Sequence, residues 1–141
     1  MKIDCWGEYK PKYGSESAAG IDLYNNDNDG DIILYPGAPV MINTKTRMEI
    51  PEGHVGLLFV RSSVGKRLIS LSNSTAVIDS DYRGDIMAHL VYSGDAMEEI
   101  KLGERFCQIV IVPYRKAELE FVDELSETER GNGGFGSTGT L

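Results

Sequence analysis

The stretch NSTAVIDSDYRGDI, residues 73–86, shows the pattern on which the whole chain is built. Two β-branched residues, Val77 and Ile78, lead into a run that holds three carboxylates, a tyrosine, an arginine and a glycine, after which apolar residues resume. β-branched residues favour strands, whereas Ser, Asp and Gly favour turns. The stretch is typical either of a β-hairpin with a polar tip in water or of a strand that delivers Asp79 and Tyr82 to a site, where a carboxylate orients or deprotonates a water molecule.

Short apolar segments separated by turn residues continue along the rest of the chain. No segment of ten or more residues has a convincing helical period, and turn signals recur roughly every 8–12 residues. This pattern predicts an all-β fold of the sandwich, jelly-roll or barrel type. We expect the last strand at residues 118–122 and a single short helix near Met97, while residues 66–71 are ambiguous.

The composition changes near the C-terminus. The 141 residues predict one domain over residues 1–125, followed by a flexible, Gly-rich arm over residues 126–141. The non-functional interpretation of the arm is a frayed C-terminal end. The alternative is a lid: its glycines let backbone N–H groups turn toward an anion, Arg130 is suited to a terminal phosphate, and Phe135 offers a face for stacking a base.

Charge and hydropathy exclude several classes of function. The net charge of −8 argues against nucleic-acid binding, although a small polyphosphate needs only a few local cations. No apolar run is long enough for a membrane span, and the N-terminus lacks a signal-peptide pattern, so we expect a cytoplasmic protein of a bacterium or of a cell infected by a virus or phage. The isolated Cys5 and Cys107 are expected to be free thiols rather than zinc ligands.

Three further segments carry polar residues in apolar surroundings. Asp22 lies between Ile21 and Leu23, Gln108 lies inside an apolar strand, and the run of Arg61, Ser62 and Ser63 follows an apolar strand. An arginine and hydroxyl groups at a strand end suit phosphate oxygens, and a carboxylate suits a bound cation. Taken alone, the Arg61 segment is better explained as a solvated strand end and Asp22 as an outward strand residue, and Gln108 needs hydrogen-bond partners within its strand.

The joint order of these segments is more specific than any one of them. It resembles the five ordered motifs of the trimeric dUTP pyrophosphatase (dUTPase) family, and the resemblance spans nearly the whole chain. The segments that carry it are residues 19–23, 61–63, 73–85, 103–108 and 130–139.

The resemblance implies a distorted jelly roll that assembles as a homotrimer, with active sites shared between subunits and the C-terminal arm closing over a neighbour. The implied reaction is hydrolysis of dUTP to dUMP and pyrophosphate, assisted by Mg²⁺, with water attacking the α-phosphorus. This reaction keeps uracil out of DNA and supplies dUMP. The Mg²⁺ ion also explains how an acidic protein binds an anionic substrate.

The resemblance also implies a role for each motif residue. Asp79 orients and activates the water, with Arg61 and Gln108 as further catalytic residues, and Tyr82 packs against the deoxyribose and excludes a 2′-hydroxyl. Asp22 lies near Mg²⁺, through water. The remaining substrate-binding residues hold the uracil base and the phosphates, and they are Ser62, Ser63, Asn73, Ala76, Val77, Ile78, Arg130, Phe135, Gly136, Ser137 and Thr138.

Two positions depart from the family pattern. Ala76 replaces the usual glycine, and a Cβ there would be strained if the backbone needed a positive φ. The second motif reads Arg-Ser-Ser, as it often does in the related dCTP deaminases. Deamination needs a carboxylate on the strand after residues 73–86, where this chain has His89. A deaminase, a bifunctional enzyme and a dUTPase-fold regulatory module are the alternatives.

Overall fold

The structure, a computed structural model, describes residues 1–26 and 30–134. Within them the chain forms short strands and one short helix, α1, at Ser62–Gly65. The all-β prediction is confirmed. The strands are β1 Cys5–Gly7, β2 Lys12–Tyr13, β3 Ile21–Tyr24, β4 Ile32–Leu34, β5 Val40–Asn43, β6 Thr46–Met48, β7 His54–Val60, β8 Ile69–Leu71, β9 Ala76–Ile78, β10 Met87–Tyr92, β11 Glu98–Ile100 and β12 Arg105–Pro113.

The strands pair in antiparallel ladders that form several sheets. The largest has five strands in the order β2-β3-β12-β7-β9, and a second has three in the order β5-β10-β8. Two pairs, β11-β4 and β1-β6, complete the arrangement. β12 is the longest strand of the described chain, and it pairs with β3 on one side and β7 on the other. No helix among the described residues is long and apolar enough to cross a membrane.

One hydrophobic core joins the two larger sheets. Leu23, Leu58 and Ile109 of the five-stranded sheet and Ile42 and Leu90 of the three-stranded sheet belong to the same fully buried cluster. Because successive side chains of a strand point to opposite faces, each strand contributes alternate residues to this cluster. Burying one such side chain contributes about 1.5–3 kcal/mol, so the core holds the sheets face to face.

The hairpin interpretation of residues 73–86 is wrong. β9 pairs with β7, whereas β8 and β10 pair with each other in the three-stranded sheet. Residues 72–75 and 79–86 therefore connect one sheet to the other. The sequence pattern marks strands and turns but does not say which strand pairs with which, and here the closed core decides the pairing.

Two other local expectations are also wrong. Residues 118–122 form no strand, and Leu119 and Phe121 are 77% and 94% exposed. Met97 directly precedes β11, and the helix lies at residues 62–65 instead. The ambiguous segment 66–71 ends in strand β8. Cys5 and Cys107 are free thiols, as expected.

Gly56 gives a test of packing between strands, because the space around it is full. An added Cβ would lie 2.7 Å from Cδ1 of Ile109, 2.8 Å from Cδ1 of Ile50 and 3.2 Å from Cβ of Ile78. We therefore expect Gly56→Ala to lower the free energy of unfolding by about 1–3 kcal/mol. Gly65→Ala is the matched control, since the nearest atom outside its helix would be 4.0 Å away. Equal denaturant midpoints for the two variants would contradict this packing.

Candidate active site

Three neighbouring strands bring distant parts of the sequence to one end of the five-stranded sheet. Asp22 on β3 lies opposite Gln108 on β12, and Gln108 lies opposite Phe59 on β7. Arg61 and Ser62 follow directly after β7. A cleft of about 320 Å³, which we call the Arg61 cleft, is lined by Asp22, Arg61, Ser62 and Gln108. Three of the predicted motifs therefore meet in a single cleft.

Asp22 is held between two arginines. Its Oδ1 lies 3.0 Å from Nε of Arg61, and its Oδ2 accepts a hydrogen bond of 3.0 Å from Nη1 of Arg105. The carboxylate is almost fully buried, and burial of a charge requires such pairing. Arg61 also donates to the carbonyl of Arg105 over 3.2 Å. The trio of Arg61, Arg105 and Asp22 holds two positive charges and one negative charge, so it is locally cationic although the whole chain is acidic.

Gly20, which directly precedes β3, makes room for the side chain of Gln108 on β12. A Cβ at Gly20 would lie 2.3 Å from Oε1 and 3.0 Å from Cδ of Gln108, so a larger residue at position 20 would displace the amide of Gln108 from its present position. Ser62 lines the cleft, whereas Ser63 is exposed on α1 and does not line it.

Sequence reasoning missed the far wall of the Arg61 cleft. Gly14 and Ser15 of a loop and the nearby Ala18 line it, and none of the three was a predicted site residue. The one available signal was the position of this loop directly before Gly20. Arg105, in the motif at residues 103–108, makes an ion pair with Asp22.

Asp79 and Tyr82 lie at the other end of β7. Ile78 pairs with Gly56 and Ala76 with Leu58, so β9 runs away from Arg61. From Gly56 to Arg61 is five residue steps, and at about 3.3 Å per residue the two ends are about 17 Å apart. Asp79, one residue beyond Ile78, is farther still. Groups that hold one phosphoryl group must come within about 3 Å of it, so Asp79 and Arg61 of the same chain do not serve the same phosphate.

The segment around Ala76 is extended and unstrained. Ser74, with a φ of 63°, is the one residue of 73–78 with a positive φ. Ala76 and Ile78 pack against the core, whereas the alternate residue Val77 is 62% exposed. The methyl group of Ala76 therefore faces the core, and the strain that a positive φ would cause is absent. The carboxylate of Asp79 is exposed, and no hydrogen bond or ion pair joins it to any other described residue.

The described part of the C-terminal arm folds on itself. Arg130 is exposed, and its Nε donates to the carbonyl of Gly133 over 2.9 Å. Within residues 1–26 and 30–134 its side chain has no partner in the Arg61 cleft. The predicted site residues Phe135, Gly136, Ser137 and Thr138 lie outside the described residues.

The described residues do not build a protein cage for a metal ion. They contain no group of three His, Cys, Asp or Glu side chains placed to share one ion. Both carboxylate oxygens of Asp22 contact arginines. Mg²⁺ often binds through one or two carboxylates, several waters and the phosphates of a substrate, and this cleft suits that mode better than a preformed site.

Replacing Asp22 tests whether it organises the cleft. Asp22→Asn leaves Arg61 and Arg105 without their counter-charge, and both are about one-third exposed, so part of the loss is recovered by water. We expect a loss of about 1–3 kcal/mol in the free energy of unfolding by urea. Asp95→Asn removes an exposed carboxylate without a partner in the described chain. This variant should change the free energy of unfolding by less than about 0.5 kcal/mol. Similar losses for both variants would contradict the role of Asp22.

Comparison with known proteins agrees with this geometry. The sequence model of the dUTPase family matches the chain from residue 9 to residue 139. The deoxyuridine 5'-triphosphate nucleotidohydrolase of Escherichia phage T5 is 46% identical over 135 residues, which cover 92% of this chain and 91% of the relative. The protein of the same name from Roseobacter denitrificans is 45% identical over 130 residues, covering 92% of this chain and 86% of the relative.

A solved structure shows the same fold. A mutant of the dUTPase of Staphylococcus bacteriophage 80alpha, with dUpNHpp, superposes with a TM-score of 0.87 and 26% sequence identity, covering 99% of each chain. The ordered motifs, the fold and the relatives agree, and the chain belongs to the dUTPase family.

Proposed function

We propose that this chain hydrolyses dUTP to dUMP and pyrophosphate at sites assembled between copies of the chain. The reaction follows from the family and from relatives named for it. The observation that carries the assembly is the separation of Asp79 from Arg61 at opposite ends of β7. One copy supplies the phosphate-binding half of a site, and a second copy supplies the half that binds the nucleoside and the water.

The Arg61 cleft is the phosphate-binding half. Arg61 offers a guanidinium group whose orientation is held by Asp22, and Ser62 and Gln108 offer a hydroxyl and an amide beside it. Donors that are already oriented stabilise the charge that develops on a phosphoryl group without reorganising during the reaction. The local positive charge attracts a triphosphate, whereas the net charge of −8 disfavours nucleic acid.

Residues 73–82 form the nucleoside half. The backbone near Asn73 and the exposed strand around Val77 contact uracil, and Tyr82 packs against the deoxyribose. The carboxylate of Asp79 is exposed and has no partner in the described chain, so it is available to accept a hydrogen bond from the attacking water. Such positioning of a water contributes typically 10²–10⁴-fold to a rate.

The exposed C-terminal segment supports association with another copy of the chain, and the family resemblance implies that three copies assemble. Leu119, Phe121, Val122 and Leu125 are 56–94% exposed in a segment without a strand. Contiguous apolar exposure of this kind marks a surface that is covered by another chain. We propose that residues 1–125 form the domain, and that residues 126–141 pass over a neighbour and close its site, with Arg130 and Phe135 contacting the substrate.

Mg²⁺ serves this reaction as an ion bound through the substrate. The dUTPase family uses Mg²⁺, and the contacts of Asp22 with two arginines leave it a role through water rather than as a direct ligand. When bound, the ion offsets the charge of the phosphates.

The structure gives no support to the deaminase alternative. His89 stands where a dCTP deaminase has its glutamate, and its Nδ1 lies 2.7 Å from Oγ of Ser72. An imidazole held by a serine hydroxyl does not provide the carboxylate that deamination needs.

Mixing two inactive variants tests the shared site. Asp79→Asn should lower turnover of dUTP at least ~10²-fold, and Arg61→Gln should also impair it strongly. In trimers formed by co-refolding equal amounts of the two, about one quarter of the sites draw an intact Asp79 and an intact Arg61 from different chains. We expect recovery of about one quarter of wild-type pyrophosphate release.

The control mixture combines Arg61→Gln with Gln108→Ala, both in the same half-site. Every site then lacks one phosphate-binding group, so activity should not recover. Equal activity of the two mixtures would refute the shared site. Failure of the wild-type protein to release pyrophosphate from dUTP would refute the activity itself.

Deletion of the chain after Glu129 tests the arm. The trimer should remain, whereas kcat/KM for dUTP should fall at least ~10-fold, because the site no longer excludes water. Light scattering measures the mass, and pyrophosphate release measures the rate. Arg130→Gln, with the arm intact, separates loss of a phosphate contact from loss of the lid. An unchanged rate in the truncated protein would refute the proposal that the arm acts as a lid.

A further inference from the structure

The ring of Tyr82 is folded back onto its own loop, residues 79–86, which we call the Tyr82 loop. Its hydroxyl donates to the carbonyl of Asp85 over 2.8 Å. A Cβ at Gly84 would lie 2.5 Å from the hydroxyl oxygen and 2.7 Å from Cζ, so the ring lies directly against that glycine. The position of the ring therefore depends on the position of residues 84 and 85.

The side chain of Asp85 is anchored outside the loop. Its Oδ2 accepts a hydrogen bond of 2.9 Å from Nδ2 of Asn43, and its Oδ1 accepts one of 2.6 Å from Nε of Arg47. Asn43 is the last residue of β5 and Arg47 lies on β6, so the two partners stand on either side of the turn that joins these strands. The amide of Asn43 is itself oriented, because its Oδ1 accepts from the backbone N–H of Lys45 over 2.6 Å. The carboxylate thus ties the Tyr82 loop to strands β5 and β6.

The partner residues are themselves supported. The guanidinium of Arg47 lies over the ring of Trp6 at 5.2 Å from its centroid. The next residue of the loop, Ile86, is buried, and its N–H donates to the carbonyl of Thr46 over 2.8 Å. The end of the loop is therefore docked firmly, whereas residues 81–83 are exposed.

The anchor requires Asp85 to be ionised. The hydrogen bonds from Asn43 and then from Arg47 lower the pKa of this carboxyl below its usual value. Its contribution is therefore complete above the ordinary aspartate pKa of about 4 and is lost as the pH falls further, through the lowered pKa. At neutral pH it is a full acceptor for both donors.

We propose that Asp85 is a positioning residue that sets the discrimination between deoxyribose and ribose, by holding Tyr82 in place through the Asn43–Arg47 anchor. The inference rests on the proposed role of Tyr82 at the sugar. A ring rejects one extra hydroxyl only when it is held within a fraction of an ångström, and a ring on an exposed loop does not hold that position unaided. The carbonyl of Asp85 fixes the hydroxyl of Tyr82, and the carboxylate fixes the carbonyl.

Steady-state kinetics with dUTP and UTP test the proposal. For Asp85→Ala we expect the ratio of kcat/KM for UTP to that for dUTP to rise at least ~10-fold, because a mobile ring admits the 2′-hydroxyl. Asp85→Asn keeps one acceptor oxygen for Arg47, so the ratio should rise less in this variant. Asp95→Asn, which removes an exposed carboxylate without a partner in the described chain, should leave the ratio unchanged.

Tyr82 variants separate the two levels of the hypothesis. Tyr82→Phe removes only the hydroxyl that Asp85 holds, so it should reproduce the effect of Asp85→Ala, and it tests the contact even if Asp85→Ala does not fold. In the Tyr82→Ala background, Asp85→Ala should add no further change to the ratio, because the effect passes through the ring.

The contrary outcomes are distinct. If Tyr82→Ala leaves the ratio unchanged, the sugar role of Tyr82 fails, and the inference fails with it. If Tyr82→Ala raises the ratio but neither Asp85→Ala nor Tyr82→Phe does, the inference about Asp85 alone is overturned. A merely structural role for Asp85 would lower kcat/KM equally for both nucleotides, and that result also overturns it.

Discussion

The double pairing of β12 is the constraint on which the rest of this structure depends. β12 pairs with β3 through Gln108 and Asp22, and with β7 through Gln108 and Phe59. These two registers bring an N-terminal, a central and a C-terminal segment to one sheet end. A shift of one residue in either register would turn a polar side chain into the core, and the buried cluster that includes Leu58 and Ile109 prevents it.

The same β7 also separates the two halves of the chemistry. A strand is stiff and advances about 3.3 Å per residue, so groups at its two ends do not approach each other without breaking the sheet. Arg61 ends β7, and Asp79 lies beside its beginning. The proposed site is therefore incomplete in a single chain, and the proposed function requires a second copy to complete it.

Each half of the site relies on a buried or half-buried carboxylate with two donors. Asp22 forms ion pairs with Arg61 and Arg105. Asp85, in the Tyr82 loop, accepts hydrogen bonds from Asn43 and Arg47. In both places a carboxylate fixes a side chain that the proposed function brings into contact with the substrate, the guanidinium of Arg61 in one case and the ring of Tyr82 in the other. Oriented support of this kind is what precise recognition on short strands and exposed loops requires.

The sequence by itself determined the fold class, the family and most of the side chains of the Arg61 cleft. Short apolar segments predict strands, and the joint order of the motifs resembles that of one family, whose sequence model matches the chain. The sequence did not determine which strands pair with each other. The hairpin expected at residues 73–86 is a crossing between sheets, the strand expected at 118–122 is exposed chain, and the wall formed by Gly14 and Ser15 was not foreseen. Only the tertiary structure decided these points, as it decided that Asp79 and Arg61 lie at opposite ends of β7. Alternation records which face of a strand is buried, whereas strand partners are chosen by the closing of the whole core.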